Sequence, residues 1–176
     1  MRTPLMLAAL CLPLAMCAQY MADNTQPKDS EKIFNAGERA YRNGDLSLAI
    51  NLFDRVLERE PDHINAYLQR GFSYSLNKEY ERAVQDFSAV IQRKEDHLWA
   101  YISRGSALIR LERHAEAVAD FNMVLALDPR NEEAYNNRGW AHKGLEDLDA
   151  ACKDWKSSQR LGNAEARIIL SNTRCK

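Results

Sequence analysis

Residues 64–97 read INAYLQRGFSYSLNKEYERAVQDFSAVIQRKEDH, and the next 34 residues, 98–131, read LWAYISRGSALIRLERHAEAVADFNMVLALDPRN. Laid one over the other, they match at glycine (Gly71, Gly105), at alanine (Ala83, Ala117) and at an aromatic (Phe87, Phe121). The register extends one unit in each direction, through Gly37 and Gly139, Ala49 and Ala151, Phe53 and Trp155. Three independent series in one 34-residue step make this chain a repeat array. A single unit cannot bury its own apolar face, so the units must stack to form a core.

Each unit reads as two helices. The first helices are expected over 31–43, 64–76, 98–110 and 132–144, and the second over 46–59, 80–93, 114–127 and 148–160. Apolar residues recur at helical spacing, as in Ala83, Val84, Phe87, Val90 and Ile91. Turn residues separate the helices: Asn43 with Gly44, Asn77 with Lys78, and the proline-bearing turns at Pro61 and Pro129. Asn131, followed by Glu132 and Glu133, suits a helix start, where free N–H groups take a side-chain oxygen and favour negative charge. Glycine and alanine at fixed points allow close helix approach, and the aromatic is expected to fill the gap between adjacent pairs.

These residues resemble the tetratricopeptide repeat over about 30–165, with Tyr67, Tyr101 and Tyr135 at its early aromatic position and Pro61 and Pro129 at its late proline. Glu95 and Asn163 replace that proline elsewhere, and Ile33 replaces the tyrosine in the first unit. The resemblance implies an all-α fold, a right-handed α-solenoid of four helix-turn-helix units at 30–63, 64–97, 98–131 and 132–165, closed by a capping helix within 164–176. That helix is expected from Asn163 to Cys175, with Ala164, Ala166, Ile168, Ile169 and Leu170 as its apolar face. The resemblance also implies a concave surface lined by the first helices. Mapped onto this chain, it carries Phe34, Glu38, Leu68, Phe72, Ile102, Ser106, Ile109, Asn136, Trp140 and Lys143, with Trp140 as the foremost anchor. Family members that bind acidic C-termini hold the carboxylate with Lys, Asn and Arg. Here those positions carry Phe34, Glu38, Gln69, Trp99 and Ser103, so that clamp is not expected.

Two pairings follow from the repeat register. Arg70, Arg104 and Arg138 each precede an aspartate, Asp86, Asp120 and Asp154, by sixteen residues, which in an antiparallel hairpin sets the members opposite one another. The first unit has Ala36 and Leu52 there, so charge is present or absent at both places together. Partly buried Arg–Asp pairs are expected, the alternative being solvated charges. Cys152 and Cys175 fall near one end of a helical hairpin, so an exported chain would join them as a disulfide, the alternative being two free thiols.

The N-terminus has a different character. Arg2 precedes an uncharged run from Leu5 to Ala18, so residues 1–18 read as a secretory signal and the polar residues 19–29 as a linker. Leu14-Ala15-Met16-Cys17 resembles a bacterial lipobox with Met16 as its departure, so Cys17 is a candidate for lipidation, with ordinary cleavage near Ala18 or Ala22 as the alternative. The expected place is the bacterial envelope, periplasmic or anchored to the outer membrane through lipid alone.

The 176 residues carry 24 basic and 25 acidic side chains, a net charge of −1, which gives no electrostatic reason to expect nucleic acid. There is no phosphate loop, nucleophile pattern or metal-ligand spacing; His63 and His97 occupy equivalent turns one repeat apart, and His114 and His142 lie on helices with no nucleophile pattern nearby. No enzyme, cofactor or metal is therefore expected. The expected function is that of an adaptor binding a protein or peptide along its first helices, the alternative being a self-associating scaffold; oligomeric state is not legible in the residues.

Overall fold

The computed structural model describes residues 29–175; the expected signal segment, Cys17 and residues 19–28 of the linker lie outside them. Helix α1 is described over 29–42. It is followed by α2 (Leu46–Arg59), α3 (Ile64–Leu76), α4 (Tyr80–Arg93), α5 (Leu98–Arg110), α6 (His114–Leu127), α7 (Glu132–Gly144), α8 (Leu148–Arg160) and α9 (Ala164–Asn172). From α2 onward each helix packs on the next in sequence, and α3 touches α5 as α5 touches α7. The result is an α-solenoid of stacked hairpins whose first helices α1, α3, α5 and α7 form one continuous face.

The core of each hairpin is a ring seated on a glycine. Phe53, Phe87, Phe121 and Trp155 are fully buried. A Cβ placed on Gly71 would lie 2.8 Å from Phe87, and one on Gly105 would lie 2.7 Å from Phe121. Gly37 and Gly139 stand in the same relation to Phe53 and Trp155. The aromatic therefore seals its own hairpin against its own glycine, and does not fill the gap between adjacent hairpins that the repeat pattern leads one to expect. The sixteen-residue offset explains the difference, because it brings ring and glycine level across the turn.

Two kinds of turn alternate. Within a repeat the chain passes through a left-handed residue, Gly44, Lys78, Glu112 and Glu146 in successive units. The amide three residues past each first helix reaches back five residues, as Arg113 N–H does to the Leu108 carbonyl at 2.9 Å. Between repeats the last helical residue gives way to extended backbone, and a side chain caps the next helix. His63 and His97 accept the N–H of Ala66 and Ala100 through Nδ1 at 3.1 and 3.2 Å, and Asn131 accepts that of Ala134 at 2.9 Å.

Helix α9 breaks the period. It is reached through Gly162, left-handed like the within-repeat turns, and is capped by Asn163, 32 residues after Asn131. It ends at Asn172, short of the expected Cys175, because only Ala166 of its residues is buried and little packing holds a further turn. Thr173 is extended, and a turn then brings Cys175 to Cys152, where the two are joined as a disulfide with Cα atoms 5.5 Å apart.

Candidate peptide-binding face

Three aromatic side chains of the first helices stand on the rings beneath them. Phe34 meets Phe53 with centroids 5.6 Å apart and also stacks on His63 at 5.0 Å; Phe72 meets Phe87 at 5.5 Å; Trp140 meets Trp155 edge-on at 5.4 Å. All three are half-buried, held by the core on one side and open on the other. Side chains fixed in this way lose little freedom on contact with a partner. In the third repeat Ser106 occupies the place of Phe72 and Trp140 and turns its hydroxyl onto the Ile102 carbonyl at 2.8 Å. Near it lies a cavity of about 240 Å³ lined by Ser75, Tyr80, Ser106, Ala107 and Arg110.

The remaining expected residues divide. Leu68 and Ile109 are half-buried, and Glu38 borders a small cavity with Tyr41, Arg42 and Gln69. Lys143 is exposed, with its ammonium 4.8 Å from the Trp140 ring centroid. Ile102 and Asn136 are not available to a partner: Ile102 is 5% exposed within the core around Phe121, and Asn136 is 2% exposed. Asn136 donates through Nδ2 to Glu165 of α9 at 2.9 Å, and its carbonyl accepts the Trp155 indole N–H at 3.2 Å. Trp99, absent from the expected set, is 60% exposed in the first turn of α5, and Ile168 of α9 is also exposed. The sequence signal for Trp99 was the resemblance itself, which sets it at a carboxylate-clamp position, although its series with Asn65 and Glu133 lies outside the apolar pattern.

The structure brings each expected arginine to its aspartate in two-pronged contacts. Arg70 Nε and Nη2 donate to Asp86 at 2.8 and 2.6 Å, Arg104 to Asp120 at 2.8 and 2.6 Å, and Arg138 to Asp154 at 2.8 and 2.7 Å. A third prong goes beyond the pairing that the register predicts. Nη1 of each arginine reaches the preceding repeat, at Asp54, Ser88 and Asn122 respectively. Those three acceptors are themselves a 34-residue series. One guanidinium thus ties its own hairpin and fastens it to the one before, which explains why the first repeat, with no predecessor among the described residues, has Ala36 in that place. Burial works against the Arg70 cation, yet hydrogen bonds to Asp86 and Asp54 hold its pKa above the usual range; burial likewise pushes the Asp86 carboxyl up. These groups knit the scaffold and lie apart from the aromatic row. The histidines have structural places as well: His63 and His97 are helix caps, the His114 ring lies against Gly144, and His142 Nε2 is 3.7 Å from Asp154.

Comparison with known proteins agrees with this geometry. The tetratricopeptide repeat profile matches residues 34–97 and 100–156. No curated protein matches the chain by sequence. Among solved structures, MamA of Desulfovibrio magneticus RS-1 (41 to its end) superposes with a TM-score of 0.77 at 21% identity, over 81% of this chain and 82% of that one. The tetratricopeptide domain of Arabidopsis OM64 superposes with a TM-score of 0.63 at 25% identity, over 67% of this chain and 98% of that one.

Proposed function

The chain belongs to the tetratricopeptide repeat family, and from that premise we propose that it is a docking module of the bacterial envelope, without chemistry of its own. Proteins of this family mediate protein–protein interactions. The segment it takes up is an extended or helical stretch of another protein, laid along α1, α3, α5 and α7. The observation that carries this reading is the row of Phe34, Phe72 and Trp140, each braced from below by a core ring, with Trp99 exposed beside them. Braced aromatic side chains with an open side are the usual anchors of peptide recognition.

The envelope part of the proposal rests on the signal-like residues 1–18 and is supported by the Cys152–Cys175 disulfide, a bond suited to an oxidising compartment. Attachment to the membrane would then be through lipid on Cys17. Among the described residues no helix is long and apolar enough to cross a membrane.

Crosslinked capture from an envelope extract tests the proposal, comparing the protein with a Phe72→Glu, Trp140→Glu variant whose fold is first verified by circular dichroism. A partner held by the former and lost by the latter is the expected result. Equal capture by both would move binding to another face. No capture, together with a mass by light scattering that grows with concentration, would favour the self-associating scaffold instead.

A further inference from the structure

The two edges of the first-helix face differ in charge. Along one run the turns between repeats and the first turn of each following helix, residues 60–65, 94–99, 128–133 and 161–165, with eight carboxylates against two cations. Along the other run the turns within repeats, residues 42–46, 76–80, 110–114 and 144–148, with five carboxylates against four cations. Unpaired carboxylates stand on both edges among the described residues, two on the balanced one (Glu112 and Glu146) and more on the acidic one. On the balanced edge Glu79 is paired with Arg82 at 2.9 Å and Arg113 with Glu116 at 2.6 Å. On the acidic edge Asp62 is paired with Arg93, but Glu95, Asp96, Glu132 and Glu133 make no side-chain hydrogen bond or ion pair among the described residues. Trp99 projects from the middle of this edge, 60% exposed.

We propose that the partner segment is cationic: lysine or arginine side chains lie along this acidic edge, one of them over the Trp99 ring, while an apolar side chain enters the cavity beside Ser106. This deepens the docking reading and rests on it. Unpaired carboxylates along one side of an apolar face attract a basic chain and fix its direction. An exposed indole adds a cation–π contact whose strength grows as the cation leaves water. The chain makes the same contact internally, with Lys143 over Trp140 and Arg104 over Tyr101. Glu133 fits the assignment, since desolvation and then the neighbouring Glu132 push its carboxyl pKa up, and an incoming cation would counter that rise by favouring the ionised carboxylate.

Selection from a random dodecapeptide phage library on the purified protein tests this without knowledge of the natural partner. Enriched peptides should carry lysine or arginine beside an aliphatic or aromatic residue. The best of them, made synthetically, should bind about tenfold more weakly to a Glu95→Gln, Asp96→Asn, Glu132→Gln, Glu133→Gln variant, and more weakly in high salt. Trp99→Ala, an exposed substitution that leaves the core alone, should weaken it severalfold. Neutral or acidic peptides that need Phe72 and Trp140 would overturn the cationic assignment and leave the docking face standing. Basic peptides whose binding survives Phe72→Glu, Trp140→Glu would overturn both, as would a selection that enriches nothing.

Discussion

A methyl group added at Gly71 has nowhere to go, since it would stand 2.8 Å from the buried Phe87 ring and the ring cannot swing aside in a filled core. Gly71→Ala should therefore destabilise the protein by about 1–3 kcal/mol in denaturant unfolding, the usual cost of overpacking. The Arg–Asp ties give a sharper prediction. Asp120→Leu leaves Arg104 largely buried without its main partner and should cost about 3–5 kcal/mol. Adding Arg104→Ala recreates the pair that the first repeat already holds, Ala36 and Leu52, and should recover much of that loss. If the double variant is no more stable than the single one, the tie is not what makes Asp120 costly to replace. The pairing was legible in the sequence because two charged series kept one offset. The link to Asp54, Ser88 and Asn122 was not, because three different side chains serve there as acceptors and no chemical type repeats.

Among the elements, the within-repeat turns hold removable strain. Lys78, Glu112 and Glu146 adopt positive φ, where Gly44 alone of the series has no Cβ to crowd the carbonyl. Glu112→Gly should stabilise by about 1 kcal/mol and Gly44→Ala should cost a similar amount, read from thermal unfolding of the two variants. The last element depends on its tether. Helix α9 has nine residues and buries only Ala166, so it is too short and too lightly packed to persist alone. Cys175→Ser should release it, with a loss of about 3 kcal/mol by loop closure over 23 residues. In hydrogen exchange α9 should lose protection while α3 to α7 keep theirs; an unchanged α9 would show that packing alone suffices. The ranges of α2 to α8 could be read from the sequence because the 34-residue register carries the boundaries marked at Gly44, Pro61, Asn77 and Pro129 onto turns such as Leu111-Glu112-Arg113 that hold no turn residue. The end of α9 could not, because its turn departs from the repeat and the apolar residues that suggest a longer helix stay largely unburied, Ile168 among them.

For the whole molecule, the sequence specified a solenoid and which helices line its face, but not which side chains on that face stay open. Ile102 and Trp99 lie three residues apart on α5, and burial of the first with exposure of the second depends on how closely α7 approaches. Asn136 disappears beneath α9, an element outside the repeat. What remains open is the aromatic row beside an acidic edge, and the central claim is that a partner segment lies there. The chain's three tryptophans report on it directly: Trp99 is exposed at the acidic edge, Trp140 half-buried in the row, and Trp155 sealed in the core with its indole N–H on the Asn136 carbonyl. An indole-region NMR titration of ¹⁵N-tryptophan protein with a selected peptide resolves all three. The account predicts that the Trp99 and Trp140 signals move together and saturate while Trp155 stays nearly fixed. A peptide that binds without moving Trp99 or Trp140 would contradict it.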